Sequence, residues 1–212
     1  MTIQDEIVAA AQSGDTAKLR DLLARDASLA AARDAQGVSA IMHALYRRQN
    51  EALRLLLEKN PPLDIFEAAS TGHADRLNEL LAQDPSLVHQ FSPDGFTALH
   101  FACYFSSDQT ARLLIEKGAE VSAVSRNPMR LMPLHSAASA RNAGAVQALL
   151  EHGAGANARQ EKGWTPLHAA AQNKDEATAD ILLRHGADPN LANDDGVTPL
   201  DLARKSGMTL SR

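Results

Sequence analysis

The sequence predicts an all-α chain built as an array of stacked helix-turn-helix units, and three observations predict it. An aliphatic residue recurs at a near-constant interval, at Ile7, Ile41, Ile65, Leu99, Leu134, Leu167 and Leu200, with steps of 34, 24, 34, 35, 33 and 33. A Leu-His pair falls on three of these marks, Leu99-His100, Leu134-His135 and Leu167-His168. A Gly-Ala pair follows in the same three units, at Gly118-Ala119, Gly153-Ala154 and Gly186-Ala187. Self-similarity at such a period signals a repeat architecture in which each unit packs on its neighbours.

The unit is clearest in the stretch Gly163–Leu191. Thr165 offers a hydroxyl to cap a helix N-terminus, and Pro166 suits the first helical position, whose N–H has no partner in any case. Leu167, Ala170 and Ala171 then fall at i, i+3 and i+4, the spacing of one narrow helical face. Asn173-Lys174-Asp175 breaks that helix. A second run follows, with Ala177, Ile181, Leu182 and Leu183 on its apolar side. It stops at Gly186, which can take the left-handed conformation that ends a helix.

Composition agrees. One Trp, two Tyr and five Phe among 212 residues, with 44% hydrophobic content, suit Ala/Leu-rich stacked helices rather than a large aromatic core. A net charge of −5 and a pI near 5.9 give no electrostatic footprint for nucleic acid or an anionic membrane. No apolar run reaches the length of a membrane span, and the segment MTIQDEIVAA has no basic region ahead of a hydrophobic one. Cys103 is the single cysteine, so an internal disulfide framework is excluded. A cytoplasmic location is the expectation.

A 33-residue period carrying Thr165-Pro166-Leu167-His168-x-Ala170 resembles the ankyrin repeat family, and the resemblance covers nearly the whole chain. It implies an all-α ankyrin repeat solenoid with short β-hairpin fingers, expected as one domain over residues 1–212 and as the bacterial type of the family. Residues 2–33 form the N-terminal cap, opened by Thr2 with Asp5 in the manner of a capping box. Leu22–Ala30 (LLARDASLA) nearly repeats as Leu80–Val88 (LLAQDPSLV), 58 residues on, so the two segments hold the same place in their units.

The full repeats are expected at 34–63, 64–91, 92–125, 126–159 and 160–192, with a C-terminal half-repeat cap at 193–212. The first is degenerate, carrying Ser39-Ala40-Ile41-Met42 in place of T-P-L-H. The 24-residue step to Ile65 removes about the length of one finger and puts Asn60-Pro61-Pro62 there. Prolines cannot donate to a strand ladder, so no hairpin is expected between Leu57 and Phe66, and a notch should result. The repeat at 126–159 carries one extra residue around Arg126-Asn127-Pro128. Its Arg130 replaces the tip glycine seen as Gly95, Gly163 and Gly196, so its turn should differ in shape.

His100, His135 and His168 invite a metal or catalytic reading. Zinc ligands lie about 2.0–2.3 Å from the ion, whereas equivalent residues of packed helices lie roughly 8–10 Å apart. The resemblance instead implies a histidine that bonds across finger and helix start. His152 and His185 sit where the dipole of a helix C-terminus favours them. Cys103 reads as a small core hydrophobe, with no basic setting to make a thiolate. No GxSxG, HExxH, P-loop or GxGxxG stretch occurs, and Asp194-Asp195-Gly196 lacks the later ligands of a calcium loop. The chain is therefore expected to be no enzyme, with no cofactor and no metal.

In the family, finger tips and first-helix ends face the concave groove and vary with the partner. Mapped onto this chain, those places hold aromatic, methionine, leucine and arginine residues suited to interface cores: Tyr46 and Arg47, Phe96, Tyr104 and Phe105, Met129 and Leu131, and Trp164. Ser106 follows Phe105 in place of the usual glycine, and the Tyr46 and Tyr104 pairs would flank the notch. The expected function is a scaffold binding another protein through this groove, as a monomer, without nucleic acid or membrane. A regulatory or inhibitory subunit of an enzyme is the alternative.

Overall fold

The structure, a computed structural model, describes residues 2–105 and 108–210. They fall into two compact units, Met1–Glu67 and Ala68–Arg212. The first unit holds α1 (Ile3–Ser13), α2 (Thr16–Arg25), α3 (Ala40–Tyr46) and α4 (Asn50–Leu57). The boundary lies in α5 (Ile65–Thr71). The second unit continues with α6 (Ala74–Gln83), α7 (Ala98–Phe105), α8 (Asp108–Glu116), α9 (Pro133–Ser139), α10 (Ala143–Glu151), α11 (Pro166–Asn173), α12 (Glu176–Arg184) and α13 (Pro199–Ser206).

Odd-numbered helices are the first of each pair and even-numbered ones the second. In the second unit α7, α9, α11 and α13 pack in succession, as do α6, α8, α10 and α12. In the first, α1 packs on α3 and α2 on α4. Two-turn helices such as α9 are too short to persist alone, so stacking supplies their stability. Ile7, Ile41, Leu99, Leu134 and Leu167 of the marker series are all fully buried. Each such side chain contributes about 1.5–3 kcal/mol through burial. Leu200, on α13, is only half-buried.

The fingers differ from the expectation. Among the described residues no paired strands form, and only two isolated bridges occur, Arg33 with Ser39 and Phe91 with Thr97. Each of three fingers is closed over a tight turn by two backbone hydrogen bonds: Ser92 N–H to Phe96 (2.8 Å) with Gly95 N–H to Ser92 (2.9 Å), Gln160 to Trp164 (2.9 Å) with Gly163 to Gln160 (3.0 Å), and Asn193 to Val197 (2.9 Å) with Gly196 to Asn193 (3.0 Å). The finger of the 126–159 repeat closes from Ser125 N–H to Leu131 over a longer span, at 2.7 Å, which absorbs its extra length. Arg130 nonetheless takes φ 48°, the left-handed region that glycine occupies in its neighbours. The turn therefore differs in shape through its longer span, while its Arg130 keeps the left-handed backbone of the tip glycines.

Residues 58–64 contain neither strand nor bridge, and α5 begins at Ile65, as the 24-residue step requires. The helix start is held by a reciprocal pair. Asp64 N–H donates to Glu67 Oε2 and Glu67 N–H to Asp64 Oδ1, both at 2.8 Å. Arg33 then donates to Asp64 (2.9 Å) and Glu67 (3.0 Å) from one guanidinium nitrogen. Glu67 is 2% exposed, and burial raises its carboxyl pKa.

The near-repeat of Leu22–Ala30 and Leu80–Val88 has a local cause. Asp26 and Asp84 each end a second helix and accept from the serine two residues on, through its N–H (2.8 and 2.9 Å) and its hydroxyl (2.6 Å in both). That contact starts a 3-10 turn in both places, Ala27–Ala31 and Pro85–His89. At the N-terminus Thr2 and Asp5 form the expected capping box, at 2.7 and 3.1 Å.

Candidate protein-binding face

In the Ala68–Arg212 unit the fingers are tied tip to tip. Arg126 N–H donates to Gly95 carbonyl (2.8 Å), Glu161 to Met129 (3.1 Å) and Asp194 to Lys162 (3.0 Å). Asn127 adds a side-chain bond to Asp94 carbonyl at 2.9 Å. A Cβ on Gly95 would come within 3.0 Å of the Arg126 backbone, and Gly95 has φ 85°, so this approach calls for glycine.

The three repeat histidines tie helix starts to the chain ahead: His100 and His168 to the next finger, His135 to the segment just before it. His100 Nδ1 accepts from the Thr97 N–H (3.2 Å) and lies 2.8 Å from its hydroxyl, so the proton sits on Nε2, which donates to Leu131 carbonyl at 3.0 Å. His168 repeats the pattern with Thr165 (3.1 and 2.8 Å) and Val197 carbonyl (3.0 Å). His135 has Met132 instead of threonine, so its Nδ1 receives only the backbone N–H, at 3.2 Å, while Nε2 reaches Ala158 carbonyl at 3.0 Å. Burial pushes the pKa of His100 and of His135 down to about 4, and that of His168 down as well. Both ring nitrogens are thus used within the protein. Thr165 takes part in a capping box with His168, whose Nδ1 accepts from the Thr165 N–H and lies 2.8 Å from its hydroxyl.

The aromatics form one connected group in the 92–125 repeat. Phe96 lies edge-on to Phe101 at 5.7 Å and against His100 at 5.6 Å. Phe101 stacks on Phe105 at 6.4 Å, and Tyr104 meets Phe105 edge-on at 4.8 Å. Tyr104 is 41% exposed, whereas Phe96 and Phe105 are half-buried. Met129 is 48% exposed, beside the half-buried Leu131 on the same finger. Trp164 is half-buried against His168, with ring centroids 5.2 Å apart.

Tyr46 and Arg47 end α3 in the Met1–Glu67 unit, both exposed. Ser106, singled out after Phe105, lies outside the described residues. Cys103 is buried, and burial pushes its thiol pKa up, away from thiolate chemistry. A crevice between Val88, Phe91, Thr97 and Ala123 holds about 30 Å³, room for a water and not for a substrate. Sequence reasoning missed the Arg33–Asp64–Glu67 cluster. Its signal was present, since Arg33 and Glu67 lie 34 residues apart, one period of the array.

Stacked helix pairs joined by tied fingers, with a histidine at each joint, define a repeat module. The chain belongs to the ankyrin repeat family: the family's model, described as ankyrin repeats in three copies, matches residues 65–160 and 134–209. Members of this family are protein-interaction modules. The chain is 37% identical over 92 residues to a probable E3 ubiquitin-protein ligase, XBOS31, of Oryza sativa subsp. japonica, a match covering 43% of this chain and 20% of the relative. It is 32% identical over 105 residues to the BCL-6 corepressor-like protein 1 of Homo sapiens, covering 49% of this chain and 6% of the relative. Both relatives are far longer than the matched part, and a plant and a human protein lend no support to the bacterial type. Among the described residues no helix is long and apolar enough to cross a membrane.

Proposed function

We propose that this chain is a non-enzymatic scaffold that binds a partner protein through the face made by its finger tips and first-helix ends. It acts as one ankyrin array and as a monomer in the cytoplasm. Tyr46, Arg47, Phe96, Tyr104, Phe105, Met129, Leu131 and Trp164 make the contacts. One observation carries this reading: Tyr104 stands 41% exposed at a free position of the repeat, braced edge-on by Phe105 at 4.8 Å. A large ring held outward by a second ring is preorganised, and such anchors dominate binding energies.

The test is capture of the partner from the native host, followed by calorimetry with Tyr104→Ala. The variant should keep its melting temperature within about 2 °C, since an exposed ring contributes little to the core. Binding should weaken by about 2 kcal/mol or more. Unchanged affinity in both Tyr104→Ala and the Tyr104→Ala/Phe105→Ala double variant would refute the assignment. A captured enzyme whose rate changes on binding would make the chain a regulatory subunit.

A further inference from the structure

Among the described residues of the Ala68–Arg212 unit, four non-glycine residues adopt left-handed backbone, and all four are basic. They are Arg130 (φ 48°), Arg141 (φ 59°), Lys162 (φ 58°) and Lys174 (φ 55°). Glycine serves at the places equivalent to Arg130, as Gly95 and Gly163, and after the first helix, as Gly72 and Gly207, whereas Lys162 precedes its tip glycine at the place of Asp94 and Asp195. Arginine and lysine have no intrinsic liking for this region, so the backbone geometry does not explain the choice.

Their placement does. Arg130 and Lys162 sit on consecutive fingers, just ahead of α9 and α11, while Arg141 and Lys174 follow the ends of the same two helices. All four are exposed. Helices of seven and eight residues separate the two rows, a gap of roughly 10–12 Å and about the width of a peptide segment with its side chains. Arg141 spends one guanidinium nitrogen on the Asn173 and Lys174 carbonyls, at 2.6 and 3.3 Å, and keeps other donors. Of the exposed acids of these repeats, Glu151, Glu176 and Asp180 lie on the second helices, while Glu161 stands beside Lys162 on the finger and Asp188 follows α12. The chain as a whole carries −5, so the basic rows are a local segregation of charge.

We propose that this face takes an acidic segment of the partner protein, its carboxylates set between the Arg130/Lys162 and Arg141/Lys174 rows and an apolar side chain resting on Phe96, Phe105 and Tyr104. The inference rests on the interaction reading above and gives the partner its chemistry. A peptide is favoured over a nucleic acid because Glu161 interrupts the tip row. The next finger carries Asp194, paired with Arg159 at 3.0 Å, and the exposed Asp195. A continuous polyphosphate would meet both acids, whereas a short run of carboxylates ends before them.

The test titrates the protein with a synthetic peptide of one tryptophan followed by a run of glutamates, its glutamine counterpart, and single-stranded oligothymidylate. At low salt the glutamate peptide should bind at least about tenfold tighter than the glutamine peptide, and the gap should shrink as salt rises. Arg130→Gly/Lys162→Gly/Lys174→Gly should abolish the preference while remaining folded, because glycine suits left-handed backbone. The corresponding triple glutamine variant should do the same, and Lys117→Gln, outside this face, should change nothing. Equal binding of the two peptides, no binding of either, tighter binding of oligothymidylate, or a preference that survives both triple variants would each overturn the proposal. If both peptides bind equally but lose affinity with Tyr104→Ala, only the acidic chemistry fails. If the host partner also ignores Tyr104→Ala, the interaction face itself is wrong.

Discussion

The imidazole Nε2 of His100 donates to the carbonyl of Leu131, 31 residues further on and 3.0 Å away. Its other nitrogen accepts from Thr97 at the start of its own helix. One ring therefore joins a helix start to the finger of the following repeat, and His168 does the same two repeats later, whereas the His135 ring reaches Ala158, 23 residues on and just ahead of the next finger.

Truncating these rings leaves a buried carbonyl and a helix-start N–H without their partner. His135→Ala and His168→Ala should each destabilise by about 1–3 kcal/mol in urea denaturation at neutral pH. Partner affinity of the folded protein should hardly change. A loss below about 0.5 kcal/mol in both would show that the bonds are dispensable.

The same rings set a pH dependence. An unfolded imidazole titrates near pH 6.5, while His100 and His135 in the fold titrate at about 4. Between those values the unfolded chain binds more protons. Stability is therefore complete above about pH 6.5 and falls as the pH drops toward 4, by up to about 1.4 kcal/mol per pH unit for each histidine. Urea midpoints measured between pH 7.5 and 4.5 check this, and a flat profile would contradict it. Replacing both rings by glutamine should flatten the slope.

Met132 stands where Thr97 and Thr165 supply a hydroxyl 2.8 Å from the histidine. Met132→Thr would give His135 the bond it lacks, and should stabilise the protein by about 0.5–1 kcal/mol. A decrease in the urea midpoint would mean that the lost thioether packing outweighs the hydrogen bond.

Arg33 is the cationic partner of a nearly inaccessible carboxylate, Glu67. Arg33→Ala should cost about 2–3 kcal/mol, because the charge stays buried with less compensation. Arg33→Ala combined with Glu67→Gln should recover part of that loss. Additive effects of the two changes would show that the pair is not coupled.

Much of the fold was legible because period and spacing are properties of the chain itself. The marker leucines locate the core, the Gly-Ala pairs locate the ends of second helices, and Pro61-Pro62 with the short step locates the absent finger. Finger pairing was not legible, because a hydrogen-bonded turn and a ladder leave the same sequence signature. Arg130 was legible in part: the turn it sits in is longer than its neighbours, yet its own backbone stays left-handed like the tip glycines. The site was legible only as a set of positions. Which rings stand outward depends on neighbours, and Phe105 is half-buried because Phe101 lies under it, a contact that spacing alone does not rank above the Tyr104 pairing.

The finger ties have a mechanical consequence. Across each repeat boundary of the Ala68–Arg212 unit the helices share fully buried leucines, whereas the tips share one or two hydrogen bonds. A wedge entering between helices must open a dry core, while one entering between the outermost tips meets only hydrogen bonds, each worth about 1 kcal/mol. The fingers are thus the compliant part of a stiff body and can spread to admit a bulkier guest without loosening the helices. The amides of Arg126, Glu161 and Asp194 act as gauges of that spreading. They should exchange with solvent faster than the amides of Leu134 or Leu167, and slow when a guest clamps the tips in place.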